Sequence, residues 1–115
     1  MEPVFIQHGG GMDGTSWLEF GYDRPIPTVL ADEGYVVYLG NTRGTEYSMK
    51  HEEYDPVEDA EQFWDTSYQD FKEDVLAELE AMYKDAGEQK GYYYGYSEGT
   101  IQMFAGLSQD ESRYQ

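Results

Sequence analysis

Apolar residues gather in three short runs, and each run ends at glycine. The first, "PVFIQHGGG", reads as a buried strand over Val4–Gln7 that gives way to a tight loop. The second, "YVVYLGN", reads as a strand from Tyr35 to Leu39 closed by Gly40-Asn41. The third, "GYYYG", reads as a strand over Tyr92–Tyr94, packed on both sides. Between the first two lies "IPTVLADEGY", a short helix with Gly34 just past its end. Between the second and third, Asp55 to Gln62 is acidic and polar, with a turn expected at Pro56. Then Phe63, Trp64, Tyr68, Phe71, Val75, Leu79 and Met82 recur at steps of one, three and four. That spacing predicts one long amphipathic helix, carboxylates outward, ended by Gly87. "TIQMFAGLS" predicts a helix directly after Gly99, and "QDESRYQ" is a polar tail.

The order strand, helix, strand, helix, strand, helix implies parallel strands joined by helical crossovers. Three such strands make a narrow sheet whose faces need cover and whose two edges stay bare. The pattern therefore predicts an α/β fold, three parallel strands with crossover helices, that forms the middle of something larger. Residues 1–115 read as one partial domain, marginal alone and expected to aggregate or to need a protein partner over its sheet edges.

A formal charge of −17 on 115 residues should repel nucleic acid and anionic membrane surfaces. With no Cys there is no disulfide or thiol chemistry. No apolar run is long enough to span a membrane, and the start "MEPVFIQHGGG" lacks the basic and apolar stretches of a signal peptide. The carboxylates Glu52, Glu53, Asp55, Glu58, Asp59 and Glu61 lack the glycine placement of a Ca²⁺ loop and read as a solvated face. No metal-ligand cluster has convincing spacing, and Gly9-Gly10-Gly11 lacks the Lys-Ser/Thr of a phosphate loop. No cofactor is expected.

Two strand ends carry the candidate chemistry, because active groups gather at the carboxyl ends of parallel strands. One is His8-Gly9-Gly10-Gly11 and the other is Gly95-Tyr96-Ser97-Glu98-Gly99. Gly-x-Ser-x-Gly between a strand and a helix is the signature of a nucleophile held on a sharp turn. The helix that follows offers its N-terminus to developing negative charge, and a glycine loop nearby can supply a second backbone N–H. Either motif alone could be an ordinary loop. The two together, each after a strand, favour the nucleophile.

Further stretches match one family. "FIQHGGGMDGTSW", with Asp13 and Trp17, "LADEGYVVYLGNTRGTEYSMKH", "FWDTSYQDF" and "YYYGYSEGTIQMF" together resemble the acid lipases of the α/β-hydrolase superfamily, the gastric and lysosomal lipases and sterol esterases. The resemblance implies the central part of an α/β-hydrolase fold and hydrolysis of lipid esters, either triacylglycerols or steryl esters. It implies Ser97 as nucleophile and the backbone N–H groups of Gly10 and Glu98 as oxyanion hole. Gly95 and Gly99 then support the turn, and His8 and Gly9 support the oxyanion loop. A secreted or lysosomal setting is implied too. Tyr96 stands where the family usually has His, Glu98 where it has Gln, and Gly10 and Gly11 where it has bulkier apolar residues. A carboxylate at Glu98 would oppose an oxyanion unless neutralised.

A serine nucleophile needs a base and a group to orient it, in the order Ser, acid, His for this fold. No His follows Ser97, and Asp110 and Glu111 lie too near it in sequence to follow a later strand. His8 is expected to support its loop and His51 to lie on the surface. Two readings remain open: a segment of a lipase-like serine hydrolase, or a non-catalytic α/β module that serves as a structural or binding subunit. On either reading the chain alone is expected not to turn over esters.

Overall fold

The computed structural model describes residues 1–19 and 23–115, and of Tyr68 and Gln69 the backbone alone. Three strands form one sheet: β1 (Pro3–Gln7), β2 (Val36–Leu39) and β3 (Tyr92–Gly95). Their order is β2-β1-β3, and both pairings are parallel. The register sets Phe5 between Tyr38 and Tyr93. The three expected strands are thus present, each within a residue of its predicted bounds. All five residues of β1 are buried, as a central parallel strand requires.

Helices α1 (Ser16–Glu19) and α2 (Ile26–Asp32) connect β1 to β2, with Gly34 at a positive φ of 95° just beyond α2. The chain then crosses over β1 by way of α3 (Ala60–Phe63) and α4 (Tyr68–Asp85). Helix α5 (Glu98–Gln109) follows β3, and a 3-10 turn over Glu111–Tyr114 ends the chain.

Alternation along the strands divides the core in two. Val4 and Ile6 pack with Trp17, and Leu30, Tyr35, Val37 and Leu39 close around them. On the opposite face Phe5 stacks on Tyr93 at 5.8 Å, beneath α4 and α5, where Val75 and Leu76 are buried. Tyr92 and Tyr94 point to the Trp17 side, Tyr94 meeting Trp17 edge-on and Tyr92 meeting Tyr35. So β3 does pack on both faces, yet Tyr92 and Tyr94 stay 56 % and 42 % exposed at the open side of the sheet.

The long helix departs from the expected one. Its apolar spacing runs back to Phe63, but the chain breaks between Trp64 and Ser67. Ser67 is extended (φ −139°, ψ 175°), so no helix can pass through it. Its backbone N–H donates to Asp70 Oδ2 at 2.9 Å in a capping box that starts α4 afresh. Phe63 and Trp64 belong to α3 and its end, and the Tyr68 side chain of the expected stripe lies outside the described residues. Two side-chain ties fix α4 on the sheet. Tyr38 Oη donates to Asp85 Oδ2 at 2.6 Å, and Arg43 grips Asp74 through Nε (2.9 Å) and Nη2 (2.6 Å). The predicted polar tail is folded as well: Tyr114 lies directly against Gly106 of α5.

Candidate active site

The sharp turn expected at Ser97 is present. Ser97 joins β3 to α5 with φ 52° and ψ −113°. A positive φ in a non-glycine residue is strained and costs of the order of 1–3 kcal/mol. The surrounding contacts hold it there. Tyr96 N–H donates to Gln7 O at 3.1 Å, the continuation of the β1–β3 ladder. Gly99 N–H donates to Tyr96 O at 3.0 Å, and Thr100 N–H to Ser97 O at 3.0 Å, so α5 starts at once, at Glu98 rather than past Gly99. Gly99 presses on β1: a Cβ there would sit 2.8 Å from Gln7 O and 2.9 Å from His8 O. At Gly95 a Cβ would meet Thr100 N at 2.9 Å. The Ser97 side chain is exposed, and its hydroxyl makes no hydrogen bond to the described residues.

The loop after β1 reaches the same place. A Cβ on Gly9 would lie 3.2 Å from Ser97 Cβ and 3.1 Å from the Tyr96 ring. Beside Gly10 sits the Glu98 carboxylate, 2.6 Å from where a Cβ would be. Gly11 turns the loop at φ 72°, and Met12 N–H closes it on Gly9 O at 3.3 Å. Ser97, Gly9, Gly10 and Glu98 are therefore neighbours, as their placement after adjacent strands implied. Beyond them opens a hollow of about 390 Å³ between Gly9–Asp13 and Thr42–Glu46. Asp13 caps α1 from its rim. Its Oδ1 accepts from the Thr15 hydroxyl at 2.6 Å and from the Thr15 and Ser16 N–H groups. The Thr15 hydroxyl is the main reason its carboxyl sits below the usual range.

His8 is buried, and both ring nitrogens are occupied. Nε2 accepts the Thr42 N–H at 3.0 Å, which leaves Nδ1 as the protonated nitrogen, donating to Gly9 O at 2.8 Å. That ring braces the glycine loop against the loop after β2, and Gly14 N–H adds a second tie to Asn41 Oδ1 at 2.8 Å. His8→Ala is expected to lower unfolding free energy by about 2 kcal/mol, because it strands the buried Thr42 N–H. Urea denaturation of the two proteins measures it. His51 is exposed as expected, but it does more than face solvent. Its Nδ1 accepts the Glu53 and Tyr54 N–H groups at 2.9 and 3.0 Å, and its ring lies against Tyr54 and Phe63.

Three buried polar residues of the site escaped the sequence: Gln7, Thr42 and Gln102. Gln7 Nε2 donates to Thr42 Oγ1 at 2.7 Å, and Gln102 Nε2 approaches the same oxygen at 3.3 Å and Glu98 Oε1 at 3.4 Å. The one available signal was Gln7 itself, a polar residue closing an otherwise apolar strand.

Comparison with known proteins agrees with this geometry. The family pattern of the alpha/beta hydrolase fold matches residues 2–113. Triacylglycerol lipase 2 of Arabidopsis thaliana is 40 % identical over 111 residues, covering 94 % of this chain and 25 % of that protein. Lipase lipl-1 of Caenorhabditis elegans is 38 % identical over 109 residues, 94 % of this chain and 26 % of its own. The human lysosomal acid lipase/cholesteryl ester hydrolase is 35 % identical over 107 residues, 92 % and 26 % of the two chains. The chain spans about a quarter of the length of these relatives. A family match over nearly every residue, with lipases as relatives, agrees with the motifs around Ser97, and the chain belongs to the α/β-hydrolase fold family, among its acid-lipase-like members.

Proposed function

We propose that these residues carry the nucleophile of a serine hydrolase that cleaves carboxylic esters of lipids, triacylglycerols or steryl esters. The observation behind this reading is the left-handed backbone of Ser97 at a strand-to-helix turn, set against the glycine loop after β1. Ser97 Oγ attacks the ester carbonyl carbon while its proton passes to a histidine. The backbone N–H groups of Gly10 and Glu98 hold the carbonyl oxygen as it becomes negative. The C–O bond to the alcohol then breaks, and the alcohol leaves with the proton. Water repeats the sequence on the acyl-serine, releasing the fatty acid and restoring Ser97. The histidine and its orienting acid are assigned to chain outside residues 1–115. His8 has no free nitrogen, and His51 orders its own loop.

A second reading has one observation in its favour. The Glu98 carboxylate lies against Gly10, where it opposes the charge an oxyanion hole must hold. On that reading the chain is a non-catalytic α/β module that binds a protein partner along its sheet edges. A fluorophosphonate probe with peptide mapping separates the two. Label on Ser97, in a form of the protein that also hydrolyses a nitrophenyl ester, supports the hydrolase. The 115 residues by themselves are expected to take up none. Absence of label and turnover in every form that supplies a histidine gives the module reading its place.

A further inference from the structure

Among the buried oxygens near the site with no hydrogen bond to the described residues, Gln7 Oε1 and Glu78 Oε2 lie together. They converge on one point, because a Cβ on Gly40 would run into both, and into the Phe5 ring. Two acceptors aimed at one spot repel. Turning the Gln7 amide would point a donor at Glu78 but give up the Nε2 donation to Thr42 Oγ1, whereas a proton on one acceptor keeps that bond, and an amide oxygen cannot carry one. A neutral Glu78 can: its O–H donates to Gln7 Oε1 and satisfies both atoms together. The chain of donors then continues. Gln7 Nε2 donates to Thr42 Oγ1, Thr42 N–H to His8 Nε2, and His8 Nδ1–H to Gly9 O. Each step is a hydrogen bond of 2.7 to 3.0 Å, and the last atom belongs to the glycine loop beside Ser97.

We propose that Glu78, on α4, is a positioning residue that holds the glycine loop after β1 through a buried chain of hydrogen bonds running Gln7, Thr42, His8, Gly9. The proton at Glu78 is the first link. Its surroundings favour keeping it. Burial, and then the Asp74 carboxylate one turn earlier on α4, push the Glu78 carboxyl up to about 8. Asp74 is itself paired with Arg43 from the loop after β2. From β3 the phenol of Tyr93 faces Glu78, and burial pushes that phenol well above its usual range, so it stays neutral. Phe5 and Gln7 of β1, both uncharged, meet it at Gly40, the end of β2. The folded protein thus binds this proton more tightly than the unfolded chain does. Stability linked to Glu78 is full at low pH and falls as pH rises from the ordinary carboxylate range through about 8.

The hydrolase reading enters only in naming what the loop serves. The test reads the chain of hydrogen bonds without turnover, so failure of one does not imply failure of the other. Amide hydrogen exchange at Thr42 and Gly9–Met12 is followed from pH 6 to pH 9, with the Glu78 carboxyl carbon titrated by NMR, in wild type and in Glu78→Gln. A glutamine amide donates to Gln7 Oε1 but cannot ionise. Protection of the Thr42 amide, corrected for the intrinsic pH dependence of exchange, is expected to fall about tenfold in wild type as Glu78 ionises, the size of one lost hydrogen bond. In Glu78→Gln it is expected to stay level and close to the wild-type value at pH 6. Glu78→Ala is expected to lack that protection at every pH. Titration of Glu78 in the ordinary carboxylate range overturns the proposal. So does a pH-dependent loss that persists in Glu78→Gln, or a Glu78→Gln protein that does not fold.

Discussion

Ser97→Ala, in a form of the protein that hydrolyses esters, is expected to lower kcat/KM for a nitrophenyl ester by roughly 10⁴-fold or more, since nucleophile, base and oxyanion donors act as a unit. Binding of an uncleavable analogue should change little, because a hydroxyl facing solvent contributes little to ground-state affinity. Ser97→Gly sharpens the test. It also removes the hydroxyl, but it relieves a φ of 52° that Ala would retain. The glycine variant should therefore be as inactive as the alanine one and about 1 kcal/mol more stable than it. Turnover within tenfold of wild type in both variants would remove Ser97 from the mechanism. Equal stability of the two variants would mean that the turn stores no strain.

Gly99→Ala should be severe without touching any reacting group. Its new methyl group would lie 2.8 Å from Gln7 O and 2.9 Å from His8 O, both backbone atoms. Moving them breaks the Tyr96 N–H bond to Gln7 O that joins the turn to β1. A cost of about 3 kcal/mol follows from such overpacking, enough to unfold a marginal domain. Gly87→Ala is the control. Gly87 also has a positive φ, 73°, but nothing lies within 4 Å of its Cβ position, so only the backbone term of about 1 kcal/mol remains. Urea midpoints of the two variants, measured side by side, decide whether close approach or backbone conformation governs Gly99. Equal losses would contradict the packing account.

The strands and the Ser97 turn were legible because their signals are local. An apolar run that stops at glycine can be read without knowing its neighbours, and so can Gly-x-Ser-x-Gly before a helix. The break before α4 was harder, because Phe63 and Trp64 stand at helical spacing from Phe71 and the apolar stripe carries across Ser67. The Ser67-x-x-Asp70 pair was the competing signal, and it won because an extended cap residue ends any helix upstream of it. The polar interior was mostly hidden. Thr42 meets Gln7 across 35 positions and Gln102 across 60, and of the two glutamines Gln7 alone, at the end of an apolar strand, carries a local mark of burial. Glu78 looked like one more carboxylate on an acidic helix, yet one of its oxygens is closed off above Gly40. His51, too, gave no sign that its ring would order the backbone of Glu53 and Tyr54.

The position of β1 in the sheet bears on how the chain is made. β1 is the most buried of the three strands and is made before both of its partners, β2 and β3. Val4 pairs with Val37 on one side and with Tyr92 on the other. At about 5–20 residues per second, β1 waits a few seconds for its first neighbour and several more for its second. Throughout that interval Pro3–Gln7 keeps an open row of amide and carbonyl groups beside an apolar face, the combination that pairs most readily with another nascent strand. A trigger for misassembly is therefore present from the synthesis of β1 until that of β3, and slowing translation between β2 and β3 would lengthen the exposure.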